Sequence, residues 1–189
     1  MTDVPLHGRT LIVGGLRTGK TTATAEALDR WLNQHGTDGV VVLDFAPEIE
    51  TDDGLIGGYL ERYITIPDEV HHGVAMVRGP RSESSTATEA QAIAATNARR
   101  IRTIIENAPP SPRAVFVNDV TLGVQHDPAD VDPLVRYCSH ADCVVLNGYE
   151  GFDFSPDDPI TMAERRALDR LKRWADRVVD LGRASDPPA

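Results

Sequence analysis

The stretch LIVGGLRTGKTTATAEAL, residues 11–28, decides the fold that this sequence predicts. Its first residues are apolar, as in a short buried strand, and residues 21–34 carry apolar side chains at helical spacing. Gly14, Gly19 and Lys20 lie in the turn between the two. The sequence therefore predicts a strand, a glycine-rich turn and a helix in direct succession.

The turn has the pattern G-x-x-x-x-G-K-[ST], in which Gly14 and Gly19 are the glycines. Glycines let successive backbone N–H groups point around an anion, and the helix start adds the positive end of its dipole. Lys20 brings a charge for the β- and γ-phosphates, and Thr21 brings a hydroxyl for Mg²⁺. The predicted nucleotide-binding residues of this loop are Gly14, Gly15, Leu16, Arg17, Thr18, Gly19, Lys20, Thr21 and Thr22.

Two acidic residues end predicted buried strands. In AVFVNDV, Asp119 follows an apolar run, and a carboxylate placed there holds Mg²⁺ together with Thr21; a turn-capping aspartate is the other interpretation. In GVVVLD, Asp44 ends the run and is expected to position water or sense the nucleotide, with Glu48 as the alternative. The predicted catalytic residues are Lys20, Asp119 and Asp44, and the predicted metal ligands are Thr21 and Asp119.

Apolar runs alternate with helical patterns along the rest of the chain, which is typical of an α/β fold with a mostly parallel sheet. Thr86-Ala-Thr-Glu89 and Thr161-Met-Ala-Glu164 match the capping box that starts helices. We expect one three-layer α/β/α domain of the P-loop type over residues 1–182 and a disordered tail over 183–189. Strands are predicted at residues 10–13, 39–44, 62–66, 74–77, 114–117, 142–146 and 178–181, and His71-His72 is predicted to lie in a solvated turn.

Composition limits the choice of partners. The chain has 189 residues and a formal net charge of −10, which argues against broad binding to nucleic acid or anionic membranes. Its sequence contains no apolar run of membrane-spanning length and does not begin like a signal peptide, so we expect a cytoplasmic protein without membrane insertion. Cys138 and Cys143 are expected to be reduced, partly buried thiols.

By these residues the chain resembles the P-loop nucleoside triphosphatases over most of its length. Its motif order is similar to that of the SIMIBI class, which includes the MinD/ParA ATPases and the signal-recognition and metallochaperone GTPases. The resemblance implies Mg²⁺-dependent binding and hydrolysis of ATP or GTP. The motifs that carry it are Lys20-Thr21-Thr22, Asp44 in LDFAPE, Asp119-Val-Thr-Leu-Gly123 and Asn147-Gly-Tyr-Glu150.

The chain also departs from these families. The K-G-G signature of MinD/ParA is absent, and Val120 follows Asp119 where the oligomeric RecA and AAA ATPases carry a glutamate. GTPases have a lysine where this chain has Gly148, and an aspartate where it has Glu150. Asn147 is therefore expected either to read the base or to lie in an ordinary turn, and ATP is the default nucleotide.

Two further functions fit the same motifs. A small-molecule kinase would transfer the γ-phosphate to a metabolite bound by residues 52–81, with Asp44 as the base. A slow nucleotide-dependent switch or assembly module would act through a protein partner or as a homodimer. Arg17, Arg78 and Arg81 are expected either to neutralise transition-state charge or bind an anionic second substrate, or else to lie solvated on the surface.

Overall fold

The computed structural model describes residues 3–51 and 54–182, with the backbone alone for residues 49–51 and 54–56. The predicted tail, residues 183–189, lies outside these ranges. The strands and helices in chain order are β1 (Gly8–Gly14), α1 (Lys20–His35), β2 (Val40–Asp44), β3 (Glu48–Thr51), β4 (Gly54–Gly57), β5 (His71–Val74), α2 (Ala87–Asn107), β6 (Ala114–Asn118), α3 (Asp132–Cys138), β7 (Cys143–Tyr149), α4 (Pro159–Trp174) and β8 (Arg177–Asp180).

Within the described ranges, six strands form one parallel sheet in the order β5-β2-β6-β7-β1-β8. β3 and β4 form a separate antiparallel pair after β2. Every residue of β2, β6 and β7 is buried, as expected for strands covered on both faces. β7 lies between β1 and β6, so the tips of these three strands meet at one edge of the sheet.

Successive residues of β1 point into two different cores. Leu11 and Val13 pack with α2, α3 and α4 on one face of the sheet. Ile12 packs with α1, including Leu28 and Trp31, on the other. The alternation follows from the two-residue period of a strand, and it produces the predicted three-layer α/β/α fold.

Several local predictions were wrong. Residues 62–66 do not form a strand; a 3₁₀-helix spans Leu60–Arg62 instead. The strand expected at residues 74–77 lies earlier, at His71–Val74, where the backbone pairs with β2, and the two histidines are therefore in a strand and not in a turn. Asn147 and Gly148 also lie in a strand, because β7 continues to pair with β1 through both positions.

Other expectations were confirmed. Residues 178–181 contribute to the edge strand β8, which pairs with β1. Cys138 and Cys143 are buried free thiols, and burial raises the pKa of both; the pKa of Cys143 is about 12. None of the helices in residues 3–51 and 54–182 combines the length and the apolar character that a membrane span requires.

Candidate functional site

The turn after β1 forms a tight loop against the start of α1. Gly19 has a φ of 87° and Arg17 a φ of 57°, so the backbone is left-handed at both positions. A Cβ on Gly14 would lie 2.6 Å from the Thr18 hydroxyl, which itself donates to the Gly15 carbonyl at 3.1 Å. Glycine is thus favoured at position 14 by the limited space and at position 19 by the backbone conformation.

The Lys20 side chain lies across this loop. Its Nζ donates to the Gly15 carbonyl at 2.5 Å and stands 6.0 Å from the centroid of the Tyr149 ring. Burial lowers the pKa of Lys20, while the carboxylates of Asp119 and Asp153 oppose that shift. A phosphate oxygen is a stronger partner for an ammonium group than a carbonyl is, so this contact is one that an anion can replace.

A cavity of about 590 Å³ opens over the loop. All loop residues from Leu16 to Thr22 line it, and Gly14 and Gly15 are buried below them. Its remaining lining comes from the tips of β6 and β7 and from the segments after β2 and β4, namely Ala46, Pro47, Gly57, Tyr63, Asn118, Asp119, Asn147 and Tyr149.

Asn118 is the centre of a hydrogen-bond network under the cavity. Its Oδ1 accepts from the Thr21 hydroxyl at 3.2 Å and from Asn147 Nδ2 at 3.0 Å. Its Nδ2 donates to Asp44 Oδ1 at 2.7 Å and to the Gly58 carbonyl at 2.9 Å. Asn118 therefore accepts the hydrogen bond that the Thr21 hydroxyl donates. The lone pairs of the Thr21 oxygen are not used in this bond, so they can coordinate a cation.

Asp44 belongs to this network but is not exposed to the cavity. Its side chain is fully buried; Oδ2 accepts from the Leu60 N–H at 2.9 Å and lies 3.0 Å from His72 Nε2. Asp44 thus reaches the cavity through Asn118. Glu48, the alternative candidate, pairs with Arg62 at 2.5 Å, and that contact lowers the pKa of its carboxyl.

Asp119 lies in the cavity wall directly after β6, in the left-handed conformation with a φ of 58°. Its N–H donates to Asn147 Oδ1 at 2.9 Å, and its Oδ1 accepts from the Thr121 hydroxyl. Burial raises the pKa of Asp119 to about 6, although Thr121 and Lys20 both act to lower it. A hydroxyl and a carboxylate facing one cavity are the oxygen donors that Mg²⁺ prefers, so Thr21 and Asp119 fit that ion.

Asn147 and Glu150 lie in different surroundings. Asn147 is buried, and besides its bonds to Asn118 and Asp119 its Nδ2 donates to the Thr24 hydroxyl at 2.9 Å. Glu150 pairs with Lys172 of α4. Asn147 thus connects the strand tips with α1 below the loop, while the carboxylate of Glu150 is held by the second lysine of the chain.

The three arginines that the sequence pointed out also lie in different surroundings. Arg17 is an exposed residue of the loop. Arg78 pairs with Glu83 at 2.8 Å on the surface. Arg81 is four-fifths buried and pairs with Glu164 at 2.7 Å, so it is not a solvated surface residue.

The sequence pattern predicted no role for Asn118, and it predicted His72 to lie in a turn. The usable signal for Asn118 was a polar residue at the end of an otherwise apolar run. For His72 there was none, because its partner Asp44 lies 28 positions away.

Comparison with models of known protein families gave no match for this chain, and a search of curated proteins also gave none.

Proposed function

We propose that this protein binds a nucleoside triphosphate, ATP or GTP, together with Mg²⁺ and hydrolyses it. The observation that supports this proposal is the convergence of Lys20, Thr21 and Asp119 on one cavity at the carboxyl edge of a parallel sheet. Ligands of open α/β sheets bind at such an edge, and a helix N-terminus there favours phosphate.

Each side chain has a distinct task in this proposal. The loop amides and Lys20 would bind the phosphate oxygens, and Thr21 and Asp119 would hold Mg²⁺. When bound, Mg²⁺ would supply positive charge that offsets the charge of the phosphates. Asn118, itself oriented by Asp44, directs the Thr21 oxygen toward the ion. Asp44 is therefore a positioning residue in this scheme.

A kinase is the second candidate, because a further cavity shares Asp119 with the first one. In that case the acceptor binds beside the phosphates, and its hydroxyl replaces water as the nucleophile. The acceptor site then lies on the α4 side and is not confined to residues 52–81.

The first test compares the two lysines. Lys20→Ala should weaken triphosphate binding by about 2–3 kcal/mol, on the order of 100-fold, because a charged contact to phosphate is lost. Lys172→Ala is the matched control, since Lys172 pairs with Glu150 and neither residue lines the cavity. Titration calorimetry with ATP and with GTP measures both variants and the base preference. Equal affinities in wild type and in folded Lys20→Ala would overturn the proposal.

The second test concerns the metal. Asp119→Asn should leave binding of the nucleotide measurable without Mg²⁺ and remove most of the gain that Mg²⁺ produces. Phosphate release with and without Mg²⁺ gives the corresponding turnover. A variant with the Mg²⁺ dependence and turnover of the wild type would exclude Asp119 from this role.

A further inference from the structure

The cavity over the loop has two ends, which differ in the smaller cavities that they adjoin. Asp119 also lines a cavity of about 290 Å³ that reaches α4. Tyr63 does not line that one; it lines a different cavity along α1, together with Glu26 and Asp29. Asp119 therefore marks the end of the loop cavity toward α4, and Tyr63 marks the end toward α1.

The position of Tyr63 is fixed by the 3₁₀-helix that precedes it. The Tyr63 N–H donates to the Leu60 carbonyl at 2.9 Å, and the Leu60 N–H donates to Asp44 at 2.9 Å. The side chain of Leu60 is fully buried in the core that it shares with Leu28 of α1. Tyr63 is thus held beside α1 by a buried neighbour, although its own side chain is not buried.

The Tyr63 ring is accessible to a ligand. Tyr63 is 48% exposed, whereas Tyr149, the other aromatic residue described in this cavity lining, is 9% exposed and has its ring 5.4 Å from that of Phe154. The volume of about 590 Å³ is within the range of about 300–1,000 Å³ that is usual for sites of cofactor-sized ligands. Aromatic side chains in such sites offer a face on which a flat ring stacks.

The two residues of the predicted base-reading motif are engaged elsewhere. The oxygen of the Asn147 amide accepts from the Asp119 N–H, and its NH₂ group donates to Asn118 and Thr24. Glu150 pairs with a lysine of α4 and does not line the cavity. Neither residue is placed to bind the edge of a base, so the face of the base is the part that the described lining can bind.

We propose that the Tyr63 ring is the surface on which the base of the bound nucleotide stacks. This inference rests on the proposed function, in which Asp119 lies next to the metal ion. Since such an ion bridges the β- and γ-phosphates, the γ-phosphate lies at the Asp119 end and the nucleoside extends toward Tyr63. Stacking involves the face of the base and not its edge, so adenine and guanine are bound alike.

The test compares nucleotides with inorganic triphosphate, which carries no base. In calorimetric titrations with Mg²⁺, Tyr63→Ala should bind ATP and GTP about tenfold more weakly than the wild type, the usual size of a base–aromatic stacking contribution. Its affinity for inorganic triphosphate should not change. Wild-type affinity for ATP in Tyr63→Ala, a loss confined to one nucleotide, or an equal loss for inorganic triphosphate would each overturn the inference.

Two further variants separate the ring from other effects of the substitution. Tyr63→Phe keeps the ring without the hydroxyl and should bind ATP as the wild type does. Tyr137→Ala is the matched control, because Tyr137 lies in α3 and does not line the cavity, and it should also keep its ATP affinity. A loss in Tyr63→Phe as large as that in Tyr63→Ala would mean that the hydroxyl and not the ring binds the nucleotide.

Fluorescence gives a second measurement that does not depend on an affinity. In Tyr63→Trp the emission of the added indole should change at saturating ATP and stay constant at saturating inorganic triphosphate. The wild type, with Trp31 and Trp174, provides the background signal. Constant emission of Tyr63→Trp at saturating ATP would contradict stacking at this position.

Lys20→Ala distinguishes failure of this inference from failure of the proposed function. That variant should bind both ATP and inorganic triphosphate more weakly, because Lys20 is proposed to contact phosphate and not the base. If Lys20→Ala loses both ligands while Tyr63→Ala binds as the wild type does, the stacking surface alone is wrong. If folded Lys20→Ala keeps the wild-type affinity for both ligands, the proposed function is wrong, and the stacking surface with it.

Discussion

Thr86-Ala-Thr-Glu89 and Thr161-Met-Ala-Glu164 have the same pattern but take different structures. At α2 the Thr86 hydroxyl accepts from the Glu89 N–H at 3.1 Å, and the Glu89 carboxylate accepts from the Ser85 N–H at 2.8 Å. These are local contacts of a helix start, as predicted. At α4 the pattern does not form the cap: the prediction of a helix start at Thr161 was wrong.

The helix start at α4 lies earlier because a stronger local signal precedes Thr161. Asp158 accepts from the Thr161 N–H at 3.0 Å, and Pro159 occupies the first helical position, where proline is favoured. Glu164 is thereby free for a tertiary partner, and it pairs with Arg81, 83 positions away. The capping-box pattern thus forms the cap at α2, where its residues are exposed. At α4 it does not, because the buried Glu164 pairs with Arg81 instead.

The largest expected difference between the two segments is in the free energy of unfolding of Glu164→Ala compared with Glu89→Ala. Removing Glu164 leaves the partly buried Arg81 without its main partner, which should lower the free energy of unfolding by about 3 kcal/mol. Urea unfolding of both variants measures the difference. If Glu164→Ala lost no more unfolding free energy than Glu89→Ala, the Arg81–Glu164 pair would not explain the difference between the two segments.

The next effect is a pH dependence that connects Glu164 with Asp119. Burial first, and the charge of Glu164 as a smaller cause, raise the pKa of Asp119 from 3.8 to about 6. The folded protein thus binds this proton more tightly than the unfolded chain does. The corresponding stability is fully present below pH 3.8 and is lost as the pH rises through about 6.

Asp119→Asn should therefore stabilise the nucleotide-free protein by about 2–3 kcal/mol at pH 7.5 and have little effect at pH 3.5. Glu164→Gln should shift this loss of stability to lower pH, whereas Glu89→Gln should not change the pH at which it occurs. Thermal unfolding between pH 3.5 and 8 measures these profiles. Identical profiles for wild type and Asp119→Asn would contradict the assignment.

A smaller loss of stability is expected when either helix cap is removed. Asp158→Ala and Thr86→Ala should each cost about 1 kcal/mol, because each removes the acceptor for an N–H of the first helical turn. Asp158→Asn keeps that acceptor and should cost less than Asp158→Ala. Unfolding midpoints of the three variants provide the comparison, and an Asp158→Ala variant as stable as the wild type would mean that Asp158 is not the cap.

The smallest effect is expected for Glu89→Ala, about 0.5 kcal/mol, since its carboxylate makes an exposed contact to the Ser85 N–H. Triphosphate binding should not change in this variant, and calorimetry tests this point. A loss of affinity would mean that α2 contributes to the candidate site.

Much of the fold could be predicted because its signals are local. The apolar runs of β2 and β6 are continuous, and burial on both faces of a parallel sheet requires that pattern. The edge strand β5 was less predictable: it contains His71, His72 and a glycine, so its place beside β2 depends on pairing and not on composition.

The sequence by itself determined the glycine-rich turn, its helix and the position of Asp119 at a strand tip. Each depends on residues that are neighbours in the chain, and on backbone conformations that glycine permits. Only the tertiary structure decided that Asn118 connects Asp44 with Thr21, and that Glu164 joins Arg81. These contacts join segments 74, 97 and 83 positions apart. Sheet order and burial bring them together, and no periodicity in the sequence encodes either.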